Sequence, residues 1–174
     1  MPMSDYLRRL RDRIGNDLLV MPAVAVMVLD PDRRLLLARD AGTGLWATPG
    51  GAVDPDEDPA DAAVREMWEE TGLLVELRRV LGIYGGPEFR LTYPNGDVVS
   101  YCIISFGAEI RGGAMRPDGV ETLELRWFPE AETEALDMGI WTRITLRDAF
   151  APPDQARFAA PTWRPGNGDV RRPA

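Results

Sequence analysis

The chain has 174 residues, a formal charge of −8, one cysteine and no histidine. That length suits one domain with a proper core, and the negative charge disfavours nucleic acid polymers and anionic membrane surfaces as partners. Without histidine there is no Ser-His-Asp triad, no histidine zinc site and no histidine base, so carboxylates must carry any proton transfer or metal binding.

Taken in order, residues 4–14 predict a helix with Ser4 as N-cap and Gly15 as its stop. Tyr6, Leu7, Leu10 and Ile14 form its apolar stripe, and its arginines face outward. The N-terminus spreads its charges and lacks a central apolar region, so it does not read as a secretory signal. No apolar run approaches the ~20 residues of a membrane span. Residues 23–29, AVAVMVL, predict a strand, 30–33 a turn, and 34–39 a returning strand. A loop, DAGTG, then leads to Trp46, expected to pack beneath it.

The next stretch, GAVDPDEDPADAAVREMWEETGL (51–73), holds the chemistry. Asp58 can cap a helix that begins at Pro59 and ends at Gly72. At ~100° per residue, Ala60, Val64, Met67, Trp68 and Thr71 share an expected apolar face. Arg65, Glu66, Glu69 and Glu70 are expected opposite it, with three carboxylates crowding one patch. Such neighbours repel unless a divalent cation binds, and hard oxygen ligands suit Mg²⁺ or Mn²⁺. Asp54, Asp56 and Asp58 alternate like the start of an EF-hand loop, but Pro59 and Arg65 stand where that loop needs Gly and Glu, so that reading fails.

The order Gly51, Glu57, Arg65-Glu66, Glu69-Glu70, Gly72-Leu73, with Gly44–Gly51 leading into it, resembles the complete Nudix box of the Nudix hydrolases. That resemblance covers about residues 20–150 and implies an α/β fold, an α/β/α sandwich with a mixed sheet. It also implies a Mg²⁺-dependent pyrophosphohydrolase (Mn²⁺ the other cation) that cleaves the diphosphate linkage of a nucleoside diphosphate derivative or a (d)NTP, ADP-ribose among them. By resemblance Glu66, Glu69 and Glu70 carry metal, and Glu66 is the general base in some members. The Gly50 carbonyl is an additional candidate ligand, because paired glycines let backbone approach closely. Arg65 and Glu57 are expected as a supporting pair, with Gly51 and Gly72 shaping the backbone. The other reading is a catalytically weak nucleotide-binding module, since a fold does not guarantee an activity.

After the box, 75–84 predicts a strand, and 88–93 with 97–110 a hairpin around Pro94-Asn95-Gly96, its second strand broken at Gly112-Gly113. Residues 123–128 predict a strand, and 130–136 and 139–150 helices. Glu121, six before Trp127, has a spacing that the resemblance links to a metal ligand or base. Tyr84, Phe89 and Arg90 are candidates for a substrate-binding wall. Pro87 lies near, but offset from, the proline associated with ADP-ribose hydrolases, and reads equally as a turn. Cys102 excludes an internal disulfide framework, fits a reducing cytoplasm, and reads from its YCIISF setting as a small core residue. The expected organisation is an N-terminal helix and linker (1–19), the domain (20–150), and an extended or partly disordered tail (151–174). Phe158 and Trp163 would anchor that tail to its own domain or to a second subunit, which leaves a homodimer open.

Overall fold

The computed structural model describes residues 4–152 and 156–162. Everything else is arranged around β1 (Leu19–Val28), in which Ala23 through Val28 are all buried. An unbroken apolar run is what a strand covered on both faces requires. Val24, Val26 and Val28 pack with Ala62, Ala63 and Met67 of the box helix. Met27 shares a cluster with Leu146 and Ala149, and Ala23 and Ala25 share another with Tyr84, Phe89 and Ile103. Helices therefore lie on opposite sides of the sheet, in an α/β/α arrangement.

The chain starts with α1 (Asp5–Ile14), whose Ser4 N-cap accepts from the Leu7 N–H. The box helix is α2 (Pro59–Thr71). β1 runs parallel to β6 (Val98–Gly113), and β4 (Leu73–Tyr84) and β5 (Arg90–Thr92) pair antiparallel with β6. A second sheet is antiparallel throughout, with β2 (Leu35–Asp40) between β3 (Trp46–Ala47) and β7 (Thr122–Phe128). The expected mixed sheet is thus joined by a second sheet. Its strand β2 does not return alongside β1: the turn at Asp30, with Arg33 at φ 59°, carries the chain between sheets, and the bridge Leu29↔Leu35 joins them.

Several expectations shift for physical reasons. β6 continues through Gly112 and Gly113, because β4 pairs with both. The first helix expected, 130–136, shortens to α3 (Glu130–Thr133), and the second, 139–150, divides into α4 (Ile140–Thr145) and α5 (Arg147–Phe150). Cys102 is exposed on β6 rather than buried, since its neighbour Ile103 takes the inward position. Trp46 is half-buried and packs edge-on against Phe128, with ring centroids 4.8 Å apart. Pro87 opens a single 3-10 turn, Pro87–Phe89.

The described part of the tail is attached, but not through Phe158. Phe158 is 72% exposed, and Trp163 lies outside the described residues. Arg157 makes the attachment instead. Its N–H donates to Leu81 O, its carbonyl accepts from Ile83 N–H, and its Nη1 lies 3.1 Å from Asp148 Oδ1.

Candidate functional site

The site begins with the backbone that runs beside β1. Val24 and Val26 donate to Gly51 O and Pro49 O at 2.9 and 2.8 Å, so residues 49–51 lie along the free edge of that strand. Gly50 has φ 149°, and a Cβ there would stand 2.2 Å from Val24 O. Glycine at 50 is therefore a requirement of close backbone approach.

α2 then carries the charged side chains. Asp58 caps it by accepting from Ala60 N–H, and Gly72 ends it in the left-handed conformation at φ 68°. Its buried side is rotated from the expected one. Ala62, Ala63, Glu66, Met67 and Thr71 face inward, while Trp68 is 50% exposed. Small residues at 62 and 63 let the helix sit close to the sheet, where the bulk of Trp68 would hold it off. Glu66 thereby moves from the solvent side to a buried position at the helix flank.

One guanidinium organises this flank. Arg65 makes a two-pronged contact with Glu57, at 2.7 Å from Nε and 2.8 Å from Nη2. Nη1 reaches Glu66 Oε1 at 2.8 Å and Glu69 Oε2 at 3.1 Å, and Nη2 also donates to Ala52 O. Glu57 in turn accepts from Asp54 N–H, so loop and helix share one ion-pair network. Hydrogen bonds from Arg65 hold the Glu57 carboxyl below its usual range, and those to Glu57 keep Arg65 firmly protonated.

The carboxylates next to it behave oppositely. Burial pushes the Glu66 carboxyl up against the opposing pull of Arg65, and Glu69 and Glu121 add repulsion. Glu70 is pushed further, first by burial and then by Glu66, although Gly50 N–H donates to it at 3.2 Å. Glu121 is raised by burial and by Asp118 and Glu69. Glu66, Glu69, Glu121, Arg65 and Asp54 line one cavity of about 210 Å³, which Ser4 and Leu7 close from the α1 side.

The sequence had not singled out Asp118. Its Oδ1 accepts from the N–H groups of Val120, Glu121 and Thr122 at 3.1, 3.1 and 2.8 Å. Burial alone would raise this carboxyl, but those donors hold it low. The loop that delivers Glu121 to the cavity is thus wound around Asp118, and Pro117-Asp118-Gly119 was the local turn signal for it. Nor had the sequence placed Ser4, Leu7 or Asp54 at the site. Tyr84 and Phe89, expected as a substrate wall, are instead buried core residues. The Tyr84 hydroxyl donates to Asp148. Arg90 is exposed at the start of β5, and none of these three lines the cavity.

Among the described residues, no three His, Cys, Asp or Glu side chains already form a metal-binding group. The donor chemistry nevertheless fits Mg²⁺: acidic oxygens converge from α2 and the 118–121 loop, and burial with mutual repulsion raises Glu70, and Glu66 too despite its contact with Arg65.

Comparison with known proteins agrees with this geometry. The chain is 38% identical over 102 residues to a Bacillus subtilis protein given the provisional name 8-oxo-dGTP diphosphatase, spanning 59% of this chain and 62% of that one. It is 36% identical over 116 residues to the ADP-ribose pyrophosphatase of Methanocaldococcus jannaschii, spanning 63% of this chain and 67% of that protein. Among solved structures, the mutator MutT protein of Bacillus halodurans superposes with a TM-score of 0.62 at 25% identity, covering 75% of this chain and 83% of the other. The family model for the NUDIX domain matches residues 19–149, so the chain belongs to the NUDIX family.

Proposed function

We propose that this protein is a Mg²⁺-dependent pyrophosphohydrolase that cleaves the diphosphate linkage of a nucleoside diphosphate derivative or a nucleoside triphosphate. The observation that carries this reading is the sharing of one cavity by Glu66, Glu69 and Glu121 beside the partly buried Glu70. Arg65 already offsets part of this charge, and a divalent cation would offset more of it. Glu66, Glu69 and Glu70 would hold it, with the Gly50 carbonyl a further candidate ligand. A bound Mg²⁺ supplies charge neutralisation for the phosphate oxygens and lowers the pKa of an attacking water.

The rest of the work falls to this chain's own groups. Arg65 keeps Glu57 and the box loop fixed against α2. Glu69 is 56% exposed at its side chain, and its contact with Arg65 is a surface i,i+4 pair worth below ~1 kcal/mol, so it is readily exchanged for a cation. Two carboxylates are candidates for the base, Glu66 and Glu121, because both reach the cavity and both have raised affinity for a proton. Asp118 fixes the position of the second.

The names of the relatives make 8-oxo-dGTP and ADP-ribose the first substrates to try. A panel of ADP-ribose, nucleotide sugars and normal and oxidised (d)NTPs, assayed with Mg²⁺ and then with excess EDTA, tests the proposal. Metal-dependent release of a nucleoside monophosphate supports it, and undiminished turnover in EDTA overturns it. pH–rate profiles of Glu66→Gln and Glu121→Gln then separate the bases, because only loss of the base removes the pH-dependent limb. A nucleotide-binding module without turnover is the second reading, favoured by the hold that Arg65 already has on Glu66 and Glu69. The single cysteine supports a reducing, cytoplasmic setting. A homodimer in which the exposed Phe158 finds cover belongs to the same proposal, with sedimentation as its measurement.

A further inference from the structure

α1 contributes no fully buried residue, so core packing does not account for its position. Its N-terminal half lies at the site: Ser4 and Leu7 border the carboxylate cavity. Tyr6, Leu7 and Leu10 also line a second cavity of about 170 Å³, facing Val20, Met21 and Val53. Both cavities share Leu7, Ala52 and Asp54, so the apolar groove adjoins the acidic cleft at Leu7.

The groove differs sharply from the cleft in charge. Asp54 is the one charged residue among the described residues of its lining, which disfavours a phosphate and leaves an acceptor for an N–H or O–H donor. Val20, 68% exposed, stands at its edge and gains from being covered. A flat, largely apolar ring bearing N–H groups matches that surface, and a purine or pyrimidine base is such a ring.

The other half of α1 is held from a distance. Arg11 Nη2 donates to Val98 O at 3.0 Å and Nε lies 3.4 Å from Asp97 Oδ1, the Arg11 and Asp97 side chains both being about nine-tenths buried. Asn16 Nδ2 reaches Asn95 O on the same hairpin at 3.5 Å. The hairpin tip between β5 and β6 therefore sets where α1 lies above the groove.

We propose that the groove under α1 receives the base of the nucleotide, and that Arg11 is the positioning residue that holds this wall in place. The proposal rests on reading the acidic cleft as the diphosphate site, and deepens it by giving the substrate an orientation.

The test follows the methyl groups of Leu10, Leu19, Val20 and Val53, which line the groove and not the carboxylate cavity, by NMR in the full chain. ADP, GDP, UDP and inorganic pyrophosphate are titrated in turn with Mg²⁺. At least one nucleoside diphosphate should shift these methyls, and pyrophosphate should leave them in place. Leu10→Ala and Arg11→Ala should each weaken nucleotide binding about tenfold, the scale of small changes in an apolar pocket. Pyrophosphate affinity should be unchanged in both, and Arg11→Lys should recover part of the loss. Nucleotide binding with unmoved methyls, equal weakening for pyrophosphate, or no binding of any nucleotide overturns the inference. Shifted methyls without turnover of any substrate would sink the hydrolase reading and leave this one standing; turnover with unmoved methyls would do the reverse.

Discussion

The two walls of the cleft are held in different ways. On the α2 side, Arg65 binds three carboxylates and a backbone carbonyl, and the helix packs small residues against the sheet. On the α1 side there is no fully buried residue, and the attachment is concentrated in Arg11 and Asn16 at the far end. Diphosphate chemistry needs oxygens placed to fractions of an ångström, whereas recognition of a base tolerates a wall that adjusts. On the function proposed above, the wall that handles charge is the one tied along its length by Arg65, and the apolar wall is the one tied at its far end.

That contrast can be broken most severely at Glu70. Glu70→Gln keeps the shape but removes one ligand charge, and turnover should fall by at least ~10²-fold, comparable with losing an electrostatic contact in other sites. The metal-free variant should melt at a higher temperature, because a partly buried and repelled charge has gone. Loss of turnover with a lower melting temperature would mean that Glu70 acts through structure instead. Next comes Arg65→Ala, which leaves Glu57 and the buried Glu66 without their cation. A loss of about 1.5–3 kcal/mol of stability, the range for hydrogen bonds to charged groups, is expected by denaturant titration.

A pH titration sharpens the same comparison at smaller amplitude. Glu66 and Glu70 bind protons more tightly in the folded chain than at the ordinary 4.5, so the folded state holds more protons above that value. Metal-free protein should therefore lose stability as pH rises from about 4.5 through their raised values, and Mg²⁺ should flatten this slope. Thermal melts between about pH 5 and 8, with and without Mg²⁺, measure it; a slope unchanged by Mg²⁺ would place the cation elsewhere. Smallest is Leu10→Ala, whose effect on global stability should stay near ~1 kcal/mol, since α1 carries no fully buried residue. A drop of several kcal/mol would show that α1 is part of the core and not an adjustable wall.

How much was legible depended on whether the determinant was local. Asp58, Pro59 and Gly72 fixed both ends of α2 because capping involves residues within one turn. Ser4 and Gly15 did the same for α1. The spacing of Glu66, Glu69 and Glu70 was equally plain. Which side of α2 turned inward was not, because hydropathy ranks Trp68 above Ala62 and Ala63 while close packing on a sheet favours the small ones. The partition into two sheets was hidden for another reason: the partner of β2 is β7, and a strand's choice of a distant neighbour leaves no local mark. Asp118 was missed because its role lies in three backbone N–H groups, which look the same in every sequence.

The parallel pairing of β1 with β6 has a consequence for the order of folding. Leu19 is registered with Val99, eighty residues further along, so this ladder cannot begin until most of the domain has been synthesised. Contacts of such long sequence separation slow folding, because chain entropy is lost before they repay it. The box loop can join the other edge of β1 much sooner, since Gly51 lies only 27 residues beyond Val24. A nascent chain can thus bring the box loop to β1 first, while Glu121 reaches the cleft only later. The β5–β6 hairpin, and with it the clamp on α1, can form only afterwards.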